Sequence, residues 1–190
     1  MKKKFRKLSN FDNLKHYCSV IKHSITLKIR KMAQRLSFHR KGQQAIKALN
    51  GFGSYLRKSP LDQSLFDLIC FRVSQINGCA FCLDMHAKDL REKGESEQRL
   101  YLLDAWREAP FYTPAERAAL AWAEAVTKIS QGHVRDEVYE EARKQFSEEE
   151  LIDLTMAVLA INSYNRINIA FPDPAAVGTY HPGQFETQSN

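Results

Sequence analysis

QINGCAFCLDMH, residues 75–86, is the stretch on which the reading of this chain turns. Asn77-Gly78 marks a turn and the next residues open a helix, so two cysteines fall in a helix's first turn. On that helix Cys79, Cys82 and His86 occupy i, i+3 and i+7, one narrow stripe of its surface. The helix dipole and the unpaired amides of the first turn favour a thiolate there over a thiol. A partner thiol within disulfide reach and a nearby proton carrier complete what two-cysteine redox chemistry needs. Leu83 and Leu90 share the stripe, so the thiols are expected to face an apolar crevice between helices. Such a crevice suits a hydrophobic peroxide or a lipoyl-type partner.

Outward from this stretch the chain reads as helices in succession, with no alternating strand pattern. The expected fold is all-α, a compact bundle of six to seven helices. Residues 43–57 carry Ile46, Leu49 and Leu56 before Pro60. Residues 61–76 are apolar on most faces (LFDLICF), which predicts a buried helix. The cysteine helix runs to Gly94, a C-terminal cap, and residues 96–108 form the next, ending at Pro110. Thr113-Pro114-Ala115-Glu116 supplies an N-cap, an N1 proline and a capping-box acid for a helix to about Ile129. Ser147 with Glu150 repeats the capping box for a long apolar helix to about Ala170, stopped by Pro172.

Composition narrows the class. The 190 residues suit one domain with a real core, and 44% hydrophobic with 26% charged residues is a soluble, globular balance. Four cysteines are too few for a secreted disulfide scaffold, and no secretory signal is present, so a reducing cytoplasm is the expected location. The net charge of +6 is local: residues 1–31 hold ten Lys or Arg against one acid, Asp12, and the remainder holds eighteen bases against twenty-one acids. A nucleic-acid footprint on the folded body is therefore not expected. The basic segment 1–31 carries Leu14, Cys18, Ile21, Ile25 and Ile29 at near-helical spacing, which fits an amphipathic helix for a membrane surface or a partner. A flexible leader, or one outside the native domain with Met32 at the change in composition, is the simpler reading; Lys22 and His23 break any membrane span. The expected organisation is thus a leader at 1–31, a helical domain at 32–171 and a tail at 172–190.

Other uses of the cysteine pair carry weaker support. A structural zinc on Cys79, Cys82 and His86 lacks a fourth ligand, since His39, His133 and His181 are isolated. An inert packed pair stays open, because free cysteine is often a small hydrophobe. A thioredoxin-like fold needs a strand-rich context that is absent. Asp67 is a carboxylate in an otherwise apolar helix, so a partner is expected: backbone, Arg72, Arg166, or a role beside His86. Cys70, Trp106 and Trp122 read as core, Arg166 as an ion-pairing residue at a subunit contact, and His133 as exposed.

Residues 35–171 resemble the carboxymuconolactone decarboxylase superfamily, in its alkylhydroperoxidase D-like (AhpD-like) branch. The resemblance lies in RVSQINGCAFCLDMHAKDLREKGESEQRLYLLDAWREAPFYTPAERAALAWAEAVT and INSYNRINIAF. It implies an all-α homo-oligomer, commonly a trimer or hexamer, with a thiol peroxidase site. It also implies that Cys82 attacks peroxide, that Cys79 resolves, and that His86 shares a proton relay with a glutamate twelve residues before the first cysteine. Here that position is Asp67, and Phe81 stands where well-known members have histidine. The family's decarboxylases lack the cysteine pair, which disfavours decarboxylation.

The function expected is a cysteine-based peroxidase in antioxidant defence, reduced by a lipoyl-type or thioredoxin-like dithiol. It requires no metal or organic cofactor. A non-catalytic oligomeric redox sensor that uses the same disulfide as a switch is the alternative.

Overall fold

A computed structural model describes residues 35–184, which fall within one compact unit; the leader at 1–31 lies outside the described residues. Eight helices run in order: α1 Phe38–Lys41, α2 Gln43–Leu56, α3 Gln63–Asn77, α4 Ala80–Glu92, α5 Glu97–Leu102, α6 Pro114–Thr127, α7 Asp136–Gln145 and α8 Glu148–Ala170. Two 3-10 turns, Leu103–Ala105 and Ile129–Gln131, come after α5 and α6. No described residue lies in a strand, so the fold is all-α as expected. No described helix is long and apolar enough to cross a membrane.

Local chemistry accounts for most boundaries. Asp62 caps α3 by accepting from Leu65 N–H at 2.8 Å. Thr113/Glu116 and Ser147/Glu150 each form the reciprocal capping box, with Pro114 in the first turn of α6. The expected helix at 96–108 instead stops at Leu102 and tightens into a 3-10 turn. Arg117 of α6 explains this: its guanidinium donates to the carbonyls of Trp106, Arg107 and Ala109, so those groups need no continuing helix. Helix α7 is an addition. Its surface is mostly polar and its apolar face is short, carried by Val138 and the buried Ala142, with Phe146 just beyond its end. Its signal lies in charge, with Asp136 and Glu137 in the first turn and Arg143 and Lys144 in the last.

Helix α3 is the axis of the bundle. Nine of its fifteen residues are buried, and it packs on α4, α6 and α8. Leu68, Ile69 and Val73 are fully enclosed, each contributing about 1.5–3 kcal/mol by leaving water. Arg72 is buried on the same helix. It donates from Nε and Nη2 to Glu124 Oε1 at 2.9 and 2.7 Å, and pairs with Asp104. Glu124 also accepts from Trp106 Nε1 at 2.9 Å and Arg107 Nη1 at 2.7 Å. Burial alone pushes the Glu124 carboxyl up, but these donors outweigh it and hold the group below its ordinary value. Three segments are locked together through this one carboxylate: α3, the turn after α5, and α6.

The segment after Pro172 returns across α4. Gly178 N–H donates to Asp84 Oδ2 at 2.9 Å, Lys88 Nζ to the carbonyl of Tyr180 at 3.0 Å, and Tyr180 OH to Asp89 Oδ1 at 2.7 Å. Tyr180 is buried by this contact.

Candidate active site

The cysteines are placed by the joint between α3 and α4. Gly78 adopts φ +69°, a left-handed conformation that L side chains rarely adopt, so glycine is required there for backbone reasons alone. It lets Gly78 N–H reach the Gln75 carbonyl and Cys79 N–H reach the Ser74 carbonyl, both at 3.2 Å, which closes α3. Cys79 then serves at once as the N-cap of α4, its carbonyl accepting from Leu83 N–H at 2.9 Å. No side chain caps this helix start, so the first-turn amides present their positive end to the cysteines.

Cys79 and Cys82 are joined as a disulfide, both 1% exposed. His86 and Leu90 are buried along the same stripe of α4, and Leu83 is half-buried beside them. The juxtaposition read from spacing is therefore present. His86 Nε2 is buried with no hydrogen-bond partner among the described residues. Burial first, and then the ammonium of Lys93, lower its pKa to about 4. The imidazole is thus held neutral, a form that accepts a proton at its unprotonated ring nitrogen and can pass that proton on.

This shift carries a stability consequence. The unfolded chain takes up the His86 proton near pH 6.5, whereas the folded chain resists it until about pH 4. The stabilisation is complete above pH 6.5 and is lost as pH falls toward 4, amounting to about 3 kcal/mol. Denaturant unfolding at pH 7 and pH 4 measures it, and His86→Gln should flatten that dependence by about this amount.

Asp67 is buried, yet its partners are not those considered from sequence. Its carboxylate pairs with Lys93 Nζ at 2.6 Å and accepts from Gln63 Nε2 at 3.2 Å. No bond joins it to His86 among the described residues, although Lys93 is the charge that bears on both. Cys70 is buried three residues further along α3, where burial and then Asp67 push its thiol well up. Trp106 is core, Trp122 is half-buried with its Nε1 on Thr155, and His133 is exposed. Arg166 donates to the Asn162 carbonyl and side chain rather than to a carboxylate.

Sequence reading missed an asparagine ladder on α8. Asn77 Nδ2 donates to Asn162 Oδ1 at 3.0 Å and Asn165 Oδ1 at 2.9 Å. Asn165 Nδ2 reaches Ser74 Oγ at 3.0 Å, and Asn168 Nδ2 reaches Cys82 Sγ at 3.6 Å. The available signal was asparagine at every third position, 162, 165 and 168, inside an apolar helix. Together these side chains tie the turn that carries Cys79 to α8. Among the described residues no three His, Cys, Asp or Glu side chains converge as a metal site requires.

The sequence profile of the carboxymuconolactone decarboxylase family matches residues 43–125. An uncharacterised protein, YdfG of Bacillus subtilis strain 168, is 43% identical over 145 residues, covering 76% of this chain and 99% of its own length. The chain belongs to the carboxymuconolactone decarboxylase family. Its place is the AhpD-like branch. A crystal structure of ATU0492 from Agrobacterium tumefaciens, a protein of unknown function provisionally named for antioxidant defence as AhpD, superposes with TM-score 0.72 at 41% identity. That match covers 79% of this chain and 99% of the other. The alkyl hydroperoxide reductase AhpD of Solibacter usitatus (strain Ellin6076) is 51% identical over 39 residues, 20% of each chain. Family membership and the Cys79–Cys82 pair fit an antioxidant role.

Proposed function

We propose that this protein is a thiol-dependent peroxidase, reducing hydroperoxides through Cys79 and Cys82 at the expense of a lipoyl-type or thioredoxin-like dithiol. The observation that carries this reading is the disulfide at the positive end of α4, with the unpartnered Nε2 of His86 one turn on along the same stripe. In the reduced protein neutral His86 takes the proton of the Cys82 thiol, the resulting thiolate attacks the distal oxygen of a hydroperoxide, the O–O bond breaks, and the imidazolium passes that same proton to the departing alkoxide. Cys82 is left as a sulfenic acid. The Cys79 sulfur displaces its hydroxyl as water, forming the disulfide. Exchange with a dithiol returns both thiols and leaves the reductant as its own disulfide. No metal or organic cofactor enters these steps, and decarboxylation is disfavoured because this chain carries the Cys79–Cys82 pair that, as the resemblance implies, the family's decarboxylases lack.

Asp67 stands behind His86 through Lys93. Its carboxylate offsets the ammonium whose field makes His86 harder to protonate, which supports a place in the relay one residue removed from the imidazole. A cytoplasmic homo-oligomer, trimer or hexamer, is the proposed working form. The exposure of Ile152, Leu159 and Ile169 on α8 supports self-association.

Wild-type protein given excess alkyl hydroperoxide and a dithiol should consume many equivalents of peroxide per chain. A chain that stops after one equivalent is a redox switch rather than a peroxidase. The burial of both sulfurs favours that second reading, because a disulfide sealed from solvent changes packing when it opens and closes.

A further inference from the structure

Two buried cysteines on adjacent helices meet opposite electrostatics. Cys70 is enclosed in α3, where burial and Asp67 disfavour its thiolate. Cys82 is as deeply buried, yet it stands in the first turn of α4 and has a donor aimed at its sulfur. That donor is the Asn168 amide. One Nδ2 contact runs to Cys82 Sγ at 3.6 Å and another to the Tyr164 carbonyl at 3.0 Å, so the amide nitrogen is anchored on its own helix while facing the sulfur. Cys79 stands one position before the first helical residue, as the N-cap of α4. The rest of the ladder holds α8 in register with this joint, since Asn77 binds Asn162 and Asn165, and Asn165 binds Ser74.

We propose that Asn168 is a catalytic residue of this site: its amide donates to the Cys82 sulfur, stabilises the thiolate there, and so makes Cys82 rather than Cys79 the attacking thiol. This rests on the peroxidase reading only for its consequence in turnover; the effect on the thiolate exists without it. A buried anion needs donors to offset lost hydration, and a hydrogen bond to a charged acceptor is stronger than one to a neutral acceptor. The same bond favours Cys82 as the leaving sulfur when the dithiol attacks Cys79, because the departing group is then the better-stabilised thiolate.

The test is the pH dependence of alkylation of reduced protein by iodoacetamide, with Cys79 and Cys82 resolved by peptide mass spectrometry. It is run in Cys79→Ser and Cys82→Ser backgrounds so that each thiol titrates alone. Asn168→Leu should raise the Cys82 midpoint by about one pH unit, lowering its thiolate-to-thiol ratio at a given pH about tenfold, and leave Cys79 in place. Asn168→Asp, of the same shape but without the N–H donors, should raise Cys82 further. It also keeps the question open to measurement if the leucine variant does not fold. A Cys82 midpoint unmoved in a folded variant overturns the proposal, as does an equal shift of both cysteines. A wild-type protein that turns over no peroxide, while Asn168→Leu still shifts Cys82, removes the peroxidase reading and leaves the Asn168 assignment standing.

Discussion

Cys82→Ser is expected to bring peroxide consumption down to background, a loss of about a thousandfold or more, because covalent chemistry at this site has no second nucleophile in the attacking position. Cys79→Ser behaves differently. It should consume one equivalent of hydroperoxide per chain and then stall, leaving a Cys82 sulfenic acid that a dimedone-type trap labels and mass spectrometry locates. Asn168 beside the Cys82 sulfur is the structural reason for this assignment. If the Cys79 variant is the one that fails at the first oxidation, the two roles are exchanged. If both variants still consume peroxide, the thiols are not the chemistry.

The largest effect on stability is expected at Arg72. Its side chain is 6% exposed and meets Glu124, itself 9% exposed, through two donors. Arg72→Met leaves the Glu124 carboxylate in the core with its innermost counter-charge gone, a loss of about 3–5 kcal/mol. For a domain of this size that is a fall in Tm of roughly 10 °C, read by circular dichroism at pH 7. Removing both charges together, Arg72→Met with Glu124→Leu, should cost less than the single change, because no buried charge is then left unpaired. A single variant within about 1 kcal/mol of wild type would show that Arg107 and Trp106 satisfy Glu124 unaided.

The helix starts were legible because they are local chemistry. Thr113 with Glu116, and Ser147 with Glu150, are groups three residues apart whose mutual hydrogen bonds are decided before any tertiary contact forms. The turn at Asn77-Gly78 was equally plain, since the left-handed conformation is glycine's own. For the same reason Cys79, Cys82, His86 and Leu90 could be set on one stripe: a helix's period is a property of its backbone. Helix α7 was passed over because it is short and mostly polar, with few apolar residues to mark its periodic face beside its charged ends.

Which partner each polar side chain would find was beyond that local grammar. Asp67 could be seen to need a partner, but nothing in α3 names Lys93, twenty-six residues on and past the end of α4. Asn77 looked like a turn residue and is in fact a clamp onto α8, across 85 and 88 residues of chain. Tyr180 lay in a stretch read as a tail, yet its hydroxyl and its buried ring belong to α4. Sequence alone determined that the chain is helical, where its helices begin, and that two thiols and an imidazole share one helix face. Tertiary structure decided the environment of those groups: the neutral His86, the donor at Cys82, and the Asp67–Lys93 pair. The division comes from range: capping and periodicity are settled within one turn of backbone, whereas a buried polar group takes its partner from whichever helix the packing of apolar faces brings beside it.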